Sequence, residues 1–483
     1  MGEIKSHSRR EFICSSLGAV IAPAIVPASA LGRGATAPSD RITVGIIGSG
    51  GRAVFETRQY PYFDNAVIIA VCDAQESRRL SAKESLEKEY SLRRPNRGIR
   101  MYHDFRELLA QKDIDAVYIA SPDHWHVSML IPTLAAGKHV HCEKPLGVSI
   151  EQDLAALKAA RKHNKQVFQY GAELRAFPDA KKGIELVLNG RIGDVKKVYV
   201  VGPPSATGGS ATPEIPPPPG FDYDLWLGPA PVKPFCADRC LEGYQHNNEI
   251  YYVADYTLGN IANWCAHPLD QMQRWADAVG RTDPPVRYEG SGKFPTDGLF
   301  DTAYQWNVRC TWADGLELQF VDNNTYHELA EAPHPKVSWS MTGPDAAKLP
   351  NGAVFVGSKG WVVVNYGKVV ASPETLMDSP IGPDEVHVRD SALASIPDGL
   401  PKGFQQTLTA GHHQNWINAI RTGSPTVDPI ESAFRSDMIS QLSDLCIRTG
   451  EPLRWDPKQE TITRNETARR MIKRPMRAPW GVA

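Results

Sequence analysis

Apolar and polar positions along this chain follow two different rhythms. In the first, short unbroken apolar runs at Ile42 to Ile47, Val67 to Cys72, Ala116 to Ala120, His139 to Cys142 and Val167 to Tyr170 alternate with stretches at helical spacing, 75–90, 104–111, 127–136 and 150–163. A strand that is apolar on both faces must be covered on both faces, which predicts a parallel, doubly wound sheet. The second rhythm begins after Gly171. Val195 to Val201, Tyr304 to Trp312, Leu316 to Val321 and Trp361 to Val364 alternate partly with period two between Gly, Pro and Asp turns, as in an antiparallel sheet with one solvated face. Pro216-Pro217-Pro218-Pro219-Gly220 reads as a stiff surface connector, and helical spacing returns at 414–421 and 431–448.

A leader precedes both. Ser8-Arg9-Arg10-Glu11-Phe12-Ile13 supplies a twin-arginine start, Leu17 to Val26 a short apolar run broken by Pro23, and Ala28-Ser29-Ala30 a small-residue cleavage pattern. The run is too short for a permanent membrane span. The twin-arginine export machinery is therefore an expected partner, and a periplasmic or extracellular location follows. The expected division is 1–40 leader and linker, 41–170 first domain and 171–483 second domain.

Composition narrows the function classes. The 483 residues exceed one ordinary core, and a net charge of −2 carries no footprint for nucleic acid. Eight cysteines in so long a chain make no disulfide framework. Cys236 and Cys240 are the nearest pair, their bonding stays open, and no zinc pattern accompanies them, so no metal is expected.

The chemistry begins at Gly48-x-Gly50-x-x-Ala53, which follows a strand and opens a helix. The first glycine permits a tight turn, and the second lets backbone approach a pyrophosphate. Gly51 and Arg52 belong to the same candidate cofactor loop. Asp73 ends the next strand, where a carboxylate bonds the ribose hydroxyls and repels a 2′-phosphate. NAD is thus favoured over NADP, although Arg52, Arg78 and Arg79 are near enough in sequence to weaken the preference.

Glu143-Lys144-Pro145 stands at the carboxyl end of a predicted strand, where ligands bind in open α/β sheets. Together with Gly48 to Arg52, Ser121-Pro122-Asp123-His124-Trp125-His126, Trp226-Leu227-Gly228-Pro229, Gly259 to Asp270, 411–416 and 474–480, it resembles the Gfo/Idh/MocA oxidoreductase family. That resemblance implies a Rossmann domain, then an α/β domain with a large open, mainly antiparallel sheet, and nicotinamide-dependent oxidation of sugar or polyol hydroxyls. It implies that Lys144 touches the substrate hydroxyl and nicotinamide ribose, and that Ser121, Pro122 and His126 line the nicotinamide side; His124, also a candidate substrate contact, and Glu143, placed to orient or balance the lysine, are further expected cofactor-site residues. His267 and Asp270 match the histidine and last acid of its D-x-x-x-H-x-x-D pattern, with Asn263 in place of the first acid. A homo-oligomer, formed through the open sheet, is expected on the same ground.

Removing hydride from an alcohol requires the hydroxyl proton to leave as the carbonyl forms. His267 is the expected base and Lys144 its electrostatic partner, with the reverse assignment open. Trp125, a candidate to stack on a sugar face, and Arg175 are further expected substrate contacts, with Asn263 and Asp270. An exported enzyme cannot exchange its cofactor freely, so the nicotinamide is expected to stay bound and be recycled in place. The alternative expectation is a glycosidase or lyase that oxidises, eliminates and re-reduces, as in glycoside hydrolase family 109; those relatives lack the Glu-Lys-Pro lysine present here.

Overall fold

The computed structural model describes residues 36–92, 98–240, 249–334, 351–365, 368–389 and 409–482. The leader lies outside the described residues, apart from the end of its linker. The described residues from Ile42 onward form one compact unit.

Six strands, β1 (Ile42–Ile47), β2 (Ala66–Cys72), β3 (Arg100–Tyr102), β4 (Ala116–Ile119), β5 (His139–Cys142) and β6 (Phe168–Tyr170), form a parallel sheet in the order β3-β2-β1-β4-β5-β6. This is the doubly wound order whose direction reverses between β1 and β4, leaving a crevice beyond their carboxyl ends. The continuous apolar runs become strands because both faces are covered: Ile47, Val117 and Ile119 on one side, Val44, Ile46 and Tyr118 on the other. β3 shows no apolar run, since it lies at the sheet edge with Met101 exposed.

The second sheet has nine strands: β7 (Val195–Gly202), β8 (Arg287–Lys293), β9 (Gln305–Thr311), β10 (Glu317–Asp322), β11 (Gly352–Gly357), β12 (Trp361–Asn365), β13 (Lys368–Ser372), β14 (Leu453–Asp456) and β15 (Thr461–Ile462). Their order is β13-β12-β11-β7-β10-β9-β8-β14-β15, antiparallel except for the parallel pair β7 and β10. β8 contains two glycines and three charged residues and gives no strand signal; pairing with β9 along Arg287 to Lys293 makes it one. Helices Pro178–Leu188, Ala266–Ala278 and Ile430–Thr449 cover one face, and in the second of these Ala266 to Ala276 are all buried. That stretch includes Asp270, Gln271, Gln273 and Arg274, polar groups that find their partners inside the fold and not in water.

The two sequence halves do not pack separately. Helix Thr409–Thr422 returns to the first sheet, where Trp416 and Ile417 join Val44 and Tyr118 in one core. Asp428 O accepts from Tyr170 N at 3.0 Å and Thr426 Oγ1 donates to Phe168 O at 2.9 Å, so the returning chain covers the open edge at β6.

Candidate active site

The crevice is built by one glycine. Gly48, just after β1, has φ +85°, and a Cβ there would lie 2.4 Å from the Ser121 nitrogen just after β4. Only glycine lets the two loops meet at the switch point. A Cβ on Gly51 would meet nothing within 4 Å, so the crest of the loop is open to a ligand. Ser49 N donates to Asp73 Oδ2 at 2.7 Å and Gln75 N to Oδ1 at 2.9 Å, which fixes the carboxylate beside the loop. Gly48, Gly50, Asp73, Ser121 and Pro122 line an open cleft of about 480 Å³ whose apolar walls include Phe105 and Met129. That lining, a glycine turn and an acid beside apolar walls at the switch point, fits a dinucleotide.

The Ser121 to His126 segment is placed by its aromatic residues. His126 is buried, with Nδ1 2.6 Å from Pro145 O and Nε2 2.9 Å from Ser121 O, and so joins the loops after β4 and β5. His124 is buried against Trp226 and Tyr256, its Nε2 3.1 Å from Trp226 O. Burial pushes its imidazole down to about 3. Neither histidine is part of the cleft wall; both support Ser121 and Pro122, which are. Trp125 corrects the expectation of a sugar platform. Its ring packs edge-on to Phe105 and Trp480, and its Nε1 donates to Trp226 O at 2.9 Å. A Cβ on Gly228, at φ +49°, would lie 2.0 Å from that indole, so the ring is enclosed and serves as cleft wall.

At the carboxyl end of β5, Glu143 accepts from Tyr118 OH at 2.7 Å, and the Lys144–Pro145 bond is cis. Lys144 Nζ donates to Asn263 Oδ1 at 2.9 Å. Asn263 Nδ2 donates in turn to Asp123, 3.1 Å and 3.3 Å from its two oxygens, and Thr257 Oγ1 donates to Asp123 Oδ2 at 2.8 Å. Burial lowers the Lys144 ammonium and Glu143 counteracts it. Burial also raises Asp123, against the pull of His126 and Lys144. His267 lies in the buried helix Ala266–Ala278 with Nδ1 3.7 Å from Glu173 Oε2. Burial pushes this histidine down to about 4, with Glu173 working the other way.

Three expected contacts are differently placed. Arg175 and Asp270 are fully enclosed and bond each other, Nε lying 2.9 Å and 2.8 Å from the two carboxylate oxygens, while Nη1 donates to Val427 O at 2.7 Å. Arg175 Nη2 also donates to Ser432 Oγ, so the pair ties helices Ala266–Ala278 and Ile430–Thr449 to the returning chain, and these contacts take up its polar atoms. Arg52 is not in the cleft wall; it faces Glu56, Glu143 and Glu173. The sequence reading missed Asp123, Thr257, Glu173 and Tyr118. Asp123 lies within the Ser121 to His126 motif, but its role depends on Asn263, 140 positions away. The described cysteines Cys236 and Cys240 are both unbonded thiols.

The family model for an oxidoreductase NAD-binding Rossmann fold matches residues 42–171, and the model for the C-terminal alpha/beta domain of the same oxidoreductases matches residues 391–482. The chain belongs to the Gfo/Idh/MocA oxidoreductase family. Among relatives of this Gfo/Idh/MocA protein, the oxidoreductase YrbE of Bacillus subtilis is 33% identical over 183 residues, 38% of this chain and 47% of its own length. An alpha-N-acetylgalactosaminidase of Shewanella oneidensis is 32% identical over 126 residues, 26% of this chain and 27% of its own. The chain therefore spans less than half the length of these relatives. Levoglucosan dehydrogenase in complex with NADH and levoglucosan shares the fold at TM-score 0.56 and 16% identity, over 86% of this chain and 99% of its own. GenD2 from gentamicin A biosynthesis, in complex with NAD, does so at TM-score 0.57 and 15% identity, over 86% and 97%. Among the described residues no helix is long and apolar enough to cross a membrane.

Proposed function

We propose that this protein is an NAD-dependent oxidoreductase acting on a sugar or polyol hydroxyl. The carrying observation is the meeting of Lys144, from the end of β5, with Asn263 of the segment leading to His267, beside the dinucleotide cleft. Gly48 and Gly50 would hold the pyrophosphate, Asp73 the ribose hydroxyls, and Ser121 and Pro122 the nicotinamide end. The bound cofactor supplies a hydride acceptor.

The chain's own residues handle the proton and the charge. His267 is neutral at pH 7, because burial holds it near 4, so its lone pair accepts the hydroxyl proton. Lys144, oriented by Asn263, stabilises the negative charge that grows on the oxygen. Asp123 and Glu143 counterbalance the ammonium. Asp73 favours NAD over NADP, by repelling a 2′-phosphate. Export by the twin-arginine route, retention of the cofactor and a homodimer belong to the same reading. They rest on the leader and on the family resemblance.

Adding candidate sugars to purified protein without added NAD tests the reading. A rise in the reduced-nicotinamide absorbance band supports it; no change with any polyol, in protein shown to hold NAD, rejects it. The redox-neutral reading is favoured by one observation, the match to an alpha-N-acetylgalactosaminidase. Cleavage of a chromogenic alpha-N-acetylgalactosaminide without any acceptor would replace the dehydrogenase reading with that one. Fractionation of cells producing the full chain tests export, and light scattering tests the homodimer.

A further inference from the structure

The helix after the glycine loop, Gly51–Thr57, carries a guanidinium into the reaction centre. Arg52 Nε lies 3.3 Å from Glu143 Oε1, and its Nη2 lies 2.9 Å from Glu173 Oε2 and 3.1 Å from Glu56 Oε1. Glu56, Glu143 and Glu173 are all buried. Glu143 immediately precedes Lys144, and Glu173 faces His267 Nδ1 at 3.7 Å. One side chain thus touches the carboxylate neighbour of each residue assigned to the reaction.

We propose that Arg52 is a positioning residue for Lys144 and His267, acting through Glu143 and Glu173, and is not a ligand of the cofactor. The proposal rests on the oxidoreductase reading of those two residues. Three buried carboxylates around one guanidinium do not all ionise in a low-dielectric interior. Burial raises the Glu56 carboxyl well above its usual range; at Glu143 burial pushes the same way, but Arg52, helped by Lys144 and the Tyr118 hydrogen bond, outweighs it and holds the carboxyl low. Of the two, Glu56 is the readier to hold a proton, and Glu143 the readier to keep the charge that faces Lys144. The guanidinium is a planar fork, so it also fixes the angle between the loop after β5 and the loop after β6; a lysine supplies the charge without the fork. Burial is the main cause that lowers His267, and the Arg52 charge lowers it further.

The test uses the full chain with Arg52→Met and Arg52→Lys. NAD affinity is read by protein fluorescence, and His267 titration by NMR of carbon-13-labelled histidine, assigned with His267→Asn. The pH dependence of kcat and KM completes the set. Arg52→Met is expected to keep the NAD Kd within about threefold, to lower kcat by about tenfold or more with KM little changed, and to move the His267 titration upward. The acidic limb of kcat/KM then moves up with it. Arg52→Lys returns the titration toward its original position and recovers only part of kcat. Loss of NAD affinity in step with activity, with the His267 titration unmoved, makes Arg52 a cofactor ligand and overturns the proposal. Lost kcat with an unmoved titration and intact affinity overturns it too. Should Arg52→Met fail to fold, Glu173→Gln reads the same contact from its other side. It should move the His267 titration downward, and no movement refutes the linkage. If the wild type reduces NAD with no polyol, the oxidoreductase reading falls, while the titration still decides what Arg52 does.

Discussion

Lys144 Nζ donates to Asn263 Oδ1 at 2.9 Å, and the other end of that amide donates to buried Asp123. An amide keeps an acceptor and a donor at every pH, so it accepts from the ammonium and donates to the carboxylate at once. Asn263 is therefore a polarity converter between two charged groups, and an acid at this position would face Asp123 with like charge.

Asn263→Asp should destabilise the fold by about 1–3 kcal/mol at pH 7, through the lost donor and the new repulsion. Two carboxyls sharing a site raise one folded pKa above its unfolded value. The variant is thus closest to wild type near pH 4, and its deficit grows as pH rises through the raised value. Urea unfolding at pH 4 and pH 7 measures this; an equal deficit at both refutes the charge argument.

Lys144→Ala should lower kcat by about 10²–10⁴-fold, the range of electrostatic and acid–base contributions. Isothermal titration with NAD should show cofactor binding largely kept. Unchanged sugar-dependent NAD reduction would remove Lys144 from the mechanism.

Asp73 holds Ser49 N at 2.7 Å and Gln75 N at 2.9 Å. Asp73→Asn keeps an acceptor but removes the charge. NAD binding should weaken by about ten- to hundredfold, and the preference over NADP should narrow, as read by competing the two nucleotides. A preserved preference shifts the discrimination to other residues of the cleft.

A strap crosses one end of the cleft. Glu76 N donates to Gly220 O at 2.8 Å, Asp222 N to Ala74 O at 3.1 Å, and His103 Nε2 lies 3.0 Å from Asp222 Oδ2. Leu225 and Trp226, just beyond, line the cleft. Asp222→Ala also removes the acceptor for Leu225 N, so the NAD dissociation rate should rise severalfold with the association rate nearly unchanged. Stopped-flow displacement of NAD measures both rates, and an unaltered dissociation rate excludes the strap from retention.

Buried His141, His412 and His413 pack ring to ring, with centroids 4.4 Å and 5.3 Å apart. Burial pushes His412 down to about 4 and His413 to about 3. Their folded pKa values lie below the unfolded value near 6.5, so the unfolded chain takes up protons first as pH falls. Stability should therefore be full above about pH 6.5 and decline from there toward pH 4. The loss is on the order of 3 kcal/mol per histidine as an upper bound. Denaturation midpoints at pH 7, 6 and 5 check it; a flat profile means that these histidines protonate in the folded state.

Much of the cofactor half was legible. Ile42–Ile47 and Ala66–Cys72 announce themselves as strands because each is apolar throughout, and the Gly48 loop and Asp73 follow them at fixed offsets. The proposed catalytic pair is marked by motif resemblance, which locates Lys144 and His267 without their surroundings. Asp123, Glu173 and Glu56 are ordinary acids in the sequence. Trp125 and Arg175 have the side chains of substrate binders, and only packing showed that both are enclosed.

The sequence by itself determined which residues can turn, pair and ionise. It set the apolar runs of the first sheet, the glycine at the switch point and the lysine at the end of β5, because these depend on local pattern and neighbouring residues. Tertiary structure alone decided which charges meet. Arg52 reaches Glu173 across 121 positions, and helix Thr409–Thr422 completes the core of a sheet whose last strand ended long before it. Burial, which strips water from those groups and so governs their protonation, is a property of the assembled fold and of no stretch of chain within it.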